Sequence, residues 1–270
     1  FDITYHEDLL GRRLIDSTKK PSGKIAVVFF GGSNTYGVGV EDNETLPYYL
    51  SKYLKNTPVI NFARPGDSLS EIYNSMVLKK IPNFEIDQKK IIVIFKTSIE
   101  QFKKLVCDTS CLGAGQADTL LKPRFILDNG KIIKTGTHKD YIDQQPFLKK
   151  LLVNFKSITD GPFIFPEIMN KETAKLHYAL LNAIRENLSQ NYEVIDFYQL
   201  YSLNPTEGYF IKYLEGENHY GFKPIILPAN EIYQESNSWS YTQDPFQIPL
   251  SHNATPARQL AKAQALRFKI

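Results

Sequence analysis

Cysteine is nearly absent from this 270-residue chain, which has only Cys107 and Cys111. Neither stands near a His or a second Cys pair, so the spacing excludes a closed zinc site and a disulfide framework. A local bridge or two thiols are what remain. Charge of one sign is also lacking. The 32 Lys and Arg interleave with 29 Asp and Glu for a net +3, too weak and too mixed for a nucleic-acid footprint. No apolar run reaches the roughly 18 residues that a membrane span needs. The first residue is Phe1 rather than Met, so a segment upstream, such as a signal peptide or anchor, is expected to have been removed or left out. What the chain has is apolar bulk: 42% hydrophobic residues, with 16 Tyr and 17 Phe. That is enough to pack a sizeable core in one domain.

The hydrophobic pattern alternates buried strand, loop and amphipathic helix. Ile25 to Phe30 is a continuous apolar run, which suits a parallel strand covered on both faces. Thr45-Leu46-Pro47 opens a helix, because Pro is tolerated in a first turn whose amides have no intrahelical partner. Leu46, Tyr49, Leu50, Tyr53 and Leu54 follow at helical spacing. Val59 to Phe62 reads as a second strand, Ser70 to Lys80 as a helix and Ile91 to Phe95 as a third strand. Helices are expected around Phe147 to Phe155 and from Asn170 to Leu188, with a short strand at Pro162 to Phe165. Glu193 to Asp196 would be the fifth strand.

This order predicts a three-layer α/β/α sandwich around a parallel, flavodoxin-like five-stranded sheet. From about 107 to 145 the alternation breaks. Phe125-Ile126-Leu127, Asp128-Asn129-Gly130 and Lys131-Ile132-Ile133 predict a β-hairpin, since Asn-Gly supplies the positive-φ turn residues. We read this as an insertion at the sheet's rim within one domain spanning 1–235. Residues 236–270 form a tail, loosely ordered by its lack of periodicity.

Open parallel sheets bind ligands at the carboxyl ends of their strands. The loops there are 31–37, 63–67 and 96–101. In Gly31-Gly32-Ser33-Asn34-Thr35-Tyr36-Gly37, small residues let the chain turn sharply and present a hydroxyl together with backbone amides. A nucleophile and an oxyanion site need that combination. Two other readings compete: Ser33 as a helix cap, and the loop as a phosphate cradle. The cradle lacks the Gly-Lys-Ser/Thr of a P-loop, and neither the dinucleotide fingerprint nor Gly-x-Ser-x-Gly fits.

Phe29 to Val40, followed by Asp42-Asn43-Glu44-Thr45-Leu46-Pro47, resembles the first block of the SGNH (GDSL-like) hydrolases. Val59-Ile60-Asn61-Phe62-Ala63-Arg64-Pro65-Gly66 resembles the second. The resemblance covers about the first quarter of the chain. It implies Ser33 as nucleophile and the amides of Ser33 and Gly66 as oxyanion donors. Gly32 stands where the family has a loop-supporting Asp. The third block's Gly-x-Asn is missing, and Phe95-Lys96-Thr97-Ser98 offers Thr97, Ser98 or Lys96 as substitute donors.

A Ser nucleophile needs a base that accepts its proton near neutral pH, which means a His. His6 lies near the terminus, His138 beside the hairpin, His177 within a helix in a half-buried structural place, and His252 in the tail. His219 follows the expected fifth strand, where the family carries Asp-x-His or Asp-x-x-His before a closing helix. Glu217 stands at the Asp-x-His spacing and would orient the imidazole. The reading is a serine esterase acting on acyl esters of small molecules, glycans or lipids, with no metal or organic cofactor. The alternative is a weak or inactive SGNH-like module that binds a glycan or protein.

Overall fold

A computed structural model describes residues 3–9, 11–15, 22–54, 56–78, 86–98, 104–105, 117–146, 171–202 and 223–226. Its centre is a five-stranded sheet in the order β2-β1-β3-β6-β7, with every pairing parallel. The strands are β1 (Ile25–Phe30), β2 (Val59–Asn61), β3 (Lys90–Ser98), β6 (Glu193–Ser202) and β7 (Lys223–Ile226). Two further strands, β4 (Pro123–Asp128) and β5 (Lys131–Thr137), form a separate antiparallel hairpin. Leaving the hairpin aside, the chain winds outward from β1 in both directions, which is the flavodoxin-like order.

Alternate residues of the central strands feed two cores. Ala26, Val28, Phe30, Ile91, Val93 and Phe95 pack toward α3 (Leu69–Tyr73) and α6 (Lys171–Ser189). Val27, Phe29, Ile92 and Ile94 pack toward α2 (Leu46–Tyr53). The apolar run of β1 is therefore continuous because both faces are covered, and three layers result. Within the described residues, the helices expected at 46–54, 70–80 and 170–188 appear as α2, as α3 continuing into a π turn over Asn74–Leu78, and as α6. Thr45 caps α2, its hydroxyl accepting from Tyr48 N at 3.2 Å.

The hairpin turns on Asn129 and Gly130, with φ of 47° and 76°. Both central residues are left-handed, as a type I′ turn requires. The hairpin lies over the α3 side: Phe125 meets Tyr73 edge-to-face at 5.1 Å, and Lys134 Nζ donates to Asn74 Oδ1 at 2.9 Å. Two short helices flank it, α4 (Ala117–Leu120) and α5 (His138–Asp143).

One expectation is corrected. Glu193–Asp196 begins β6, the direct neighbour of β3, and the fifth strand is β7. A bulge skips Ile195, which is 41% exposed, between the pairs Ile91↔Val194 and Ile92↔Asp196. The stretches expected at 147–155 and 162–165, the tail and both cysteines lie outside the described residues. Among the described residues no helix is long and apolar enough to cross a membrane.

Candidate active site

β1 ends at Phe30 and the chain turns at once into α1 (Ser33–Tyr36), a single helical turn. Ser33 is its first residue and is exposed. The cap position belongs to Gly32, and no side chain caps the turn, so Ser33 is not the helix cap weighed above. The carbonyl of Gly32 takes the amides of Thr35 and Tyr36 at 3.0 Å, and that of Ser33 takes Gly37 N at 2.8 Å. The amides of Ser33 and Asn34 open the turn, where no intrahelical acceptor exists. An exposed hydroxyl and first-turn amides thus share the carboxyl edge of the sheet.

The second loop leaves β2 beside it. Arg64, Pro65, Gly66 and Asp67 form a tight turn, closed by Asp67 N donating to Arg64 O at 3.2 Å. Gly66 has φ 82°, and Pro before a positive-φ Gly is the type II signature. The central amide of such a turn, that of Gly66, is not used by the turn's own bond. The two loops are stitched together. Arg64 N donates to Gly31 O at 3.2 Å, while the buried Asn61 donates through Nδ2 to Thr35 O at 3.1 Å and accepts from Ala63 N at 3.1 Å. Asn61 of the second block therefore holds the first block and its own loop at once.

β3 supplies the third side. Phe30 pairs with Phe95, so Lys96, Thr97 and Ser98 run on past the end of β1 as continuing strand, paired to Leu200, Tyr201 and Ser202 of β6. This overhang borders the Ser33 loop. Burial pulls the Lys96 ammonium down to about 8, which leaves it mostly protonated at neutral pH and able to donate. Thr97 and Ser98 are placed here by their backbone alone.

The hairpin completes the rim. Lys122, just before β4, donates to Gly66 O and pairs with Glu71 Oε1 at 2.7 Å; Lys104 Nζ reaches the same carbonyl at 3.4 Å. Burial, then the Glu71 charge, push the Asp67 carboxyl up to about 6 against the pull of Arg64, Lys122 and Lys104.

Three of the five histidines lie among the described residues. His177 is fully buried rather than half-buried: Gln199 donates to its Nε2, and burial drives its pKa down to about 3. His138 is fully buried at the start of α5. His6 Nδ1 lies 2.5 Å from Asp42 Oδ2. His219, Glu217 and His252 lie outside the described residues. In chain order His219 precedes β7, whereas a fifth strand at Glu193–Asp196 implies that it follows the last strand.

Comparison with known proteins gives no matching family model and no matching curated protein. Two solved structures are similar at low identity. One is a protein from Desulfitobacterium hafniense DCB-2 assigned to the lipolytic G-D-S-L family, with 11% identity and a TM-score of 0.41 over 90% of this chain and 99% of that one. The other is a carbohydrate esterase whose active site is described as having divergent catalytic and non-catalytic binding functions. It shares 12% identity at a TM-score of 0.45, over 98% of this chain and 69% of that one.

Proposed function

We propose that this chain is an SGNH-type serine hydrolase that cleaves carboxylic esters through an acyl-enzyme on Ser33. The observation that carries the reading is the junction of the two loops. An exposed Ser opens a helical turn directly after β1, and Asn61 and Arg64 bind that turn to the loop of Gly66. In this reading Ser33 Oγ attacks the acyl carbonyl carbon and passes its proton to a His. The amides of Ser33 and Gly66 hold the oxyanion, with Lys96, Thr97 or Ser98 in the place of the missing Asn. The His then protonates the departing alcohol, and water, deprotonated by the same His, releases the acid.

The sequence favours His219, oriented by Glu217, as the base. The position of β7 favours a second candidate. Ligand sites of parallel sheets form where strands end, and in chain order His252 follows β7, the last strand among the described residues, whereas His219 precedes it. Acyl esters of a carbohydrate or lipid are the proposed substrate class.

Hydrolysis of p-nitrophenyl acetate by wild type, S33A, H219A and H252A tests these assignments. Ser33→Ala is expected to abolish turnover, and one of the two His variants to lose at least about a thousandfold in kcat. Wild-type turnover that survives Ser33→Ala contradicts the mechanism. Folded wild type that neither hydrolyses the ester nor reacts with a fluorophosphonate favours the glycan- or protein-binding module. Stabilisation by nucleotides would point instead to a phosphate-binding loop.

A further inference from the structure

Residues 3–9 and 11–15 lie across the loop that carries Ser33, and one side chain makes most of the connection. Arg13 is 2% exposed. Its Nε donates to Asp42 Oδ1 at 2.8 Å, Nη1 to Tyr36 O at 3.1 Å and to Gly37 O, and Nη2 to Val40 O at 2.6 Å. The guanidinium also lies over the rings of Tyr5 and Tyr36, at 4.6 and 5.2 Å. Around it, Tyr36 Oη donates to Glu7 Oε1 at 2.7 Å, and Tyr5 Oη accepts from Gly39 N at 2.8 Å. The backbone of Arg13 bridges to Asn61, the residue that stitches the two site loops.

The chemistry explains why Arg stands there. A one-turn helix leaves its C-terminal carbonyls without intrahelical donors, and buried carbonyls must be satisfied. The carbonyls of Tyr36, Gly37 and Val40 fan around a single point, and a planar fork of N–H groups reaches all three while Nε turns to Asp42. A Lys ammonium has three donors on one atom and cannot span that fan. Gly37 itself is left-handed, with φ 93°, and a Cβ there would come within 2.8 Å of Arg13 Nη1. The peptide and the guanidinium are fitted to each other.

We propose that Arg13 is the positioning residue of the nucleophile loop, resting on the reading of Ser33 as nucleophile. The path is short. Arg13 fixes the carbonyl of Gly37, and the amide of Gly37 bonds the carbonyl of Ser33 at 2.8 Å. A shift at the clamp moves Ser33 within its single turn. Misplacing a nucleophile by about 1 Å costs on the order of a hundredfold.

The test compares wild type with Arg13→Lys and Asp42→Asn, the latter keeping the guanidinium and removing the carboxylate it pairs with. Fluorophosphonate inactivation rates, kcat and KM for p-nitrophenyl acetate, and amide exchange are measured on samples whose thermal unfolding shows them folded. R13K is expected to lower both kcat and the inactivation rate by about 10–100-fold with KM within about threefold. The amides of Gly37 and Val38 are expected to exchange at least about tenfold faster while those of α6 keep their protection. D42N is expected to show the same pattern at smaller amplitude, and it carries the test if R13K does not fold. An unlabelled wild type overturns the reading of Ser33 and the positioning role with it. A labelled wild type beside folded variants that react as fast overturns the positioning role alone.

Discussion

The two loops that meet at Ser33 and Gly66 are held in different ways. The Ser33 loop is gripped from inside: Arg13 and Asn61 are both nearly inaccessible and are spent on its carbonyls. The Gly66 loop shares Asn61 through Ala63 N, but its tip is held from the rim, by Lys122 just before the inserted hairpin, whose pair with Glu71 keeps about 15% exposure on each side. A buried guanidinium with several acceptors is all-or-none, because removing it strands polar groups away from water. A lysine that keeps some contact with water is more adjustable, since water takes over part of its work. The arrangement makes the nucleophile the fixed part of the site and leaves the second loop open to tuning by whatever sequence the insertion carries.

That contrast predicts a descending series. Arg13→Ala is expected to destabilise by about 3–5 kcal/mol in urea unfolding, the range for breaking a buried charged network. A loss below about 1 kcal/mol would mean that the N-terminal segment carrying Arg13 is not coupled to the core. Lys122→Met is expected to cost about 1–2 kcal/mol, with the difference from wild type narrowing in high salt. Equal costs for the two variants would erase the distinction between the loops.

Asp67 gives the smallest effect and the opposite sign. Its carboxyl, raised to about 6, keeps a proton in the folded chain at a pH where the unfolded chain, near 3.8, has lost it. Stability therefore falls as pH rises between those values, and the penalty is complete above 6. Allowing for solvent screening, Asp67→Asn is expected to raise Tm by about 2–4 °C at pH 7.5, with the gain fading toward pH 4. A gain that persists unchanged at pH 4 contradicts the titration.

What was legible in the sequence were features written locally. β1 shows as an apolar run, α2 as a capped amphipathic stretch, and the hairpin as Asn129-Gly130 between two short apolar stretches. The Ser33 and Gly66 loops were legible as small residues placed directly after strands. β7 was missed because Lys223-Pro224-Ile225-Ile226 is short and contains Pro, which a sheet tolerates at the edge where β7 lies. His219 precedes β7 in chain order, whereas the sequence pattern implies that it follows the fifth strand. The hold of the N-terminal segment on the Ser33 loop was missed for another reason. Residues 3–15 have no helix or strand period, and their hold on the fold runs through one guanidinium and backbone carbonyls about 25 residues away, a pattern without a local signature.

The most direct measurement is the intact mass of the folded chain after incubation with a fluorophosphonate, followed by peptide mapping. The account predicts one adduct per chain, carried by Ser33 and lost in Ser33→Ala. A folded chain that stays unmodified, or an adduct that persists in Ser33→Ala, would contradict it.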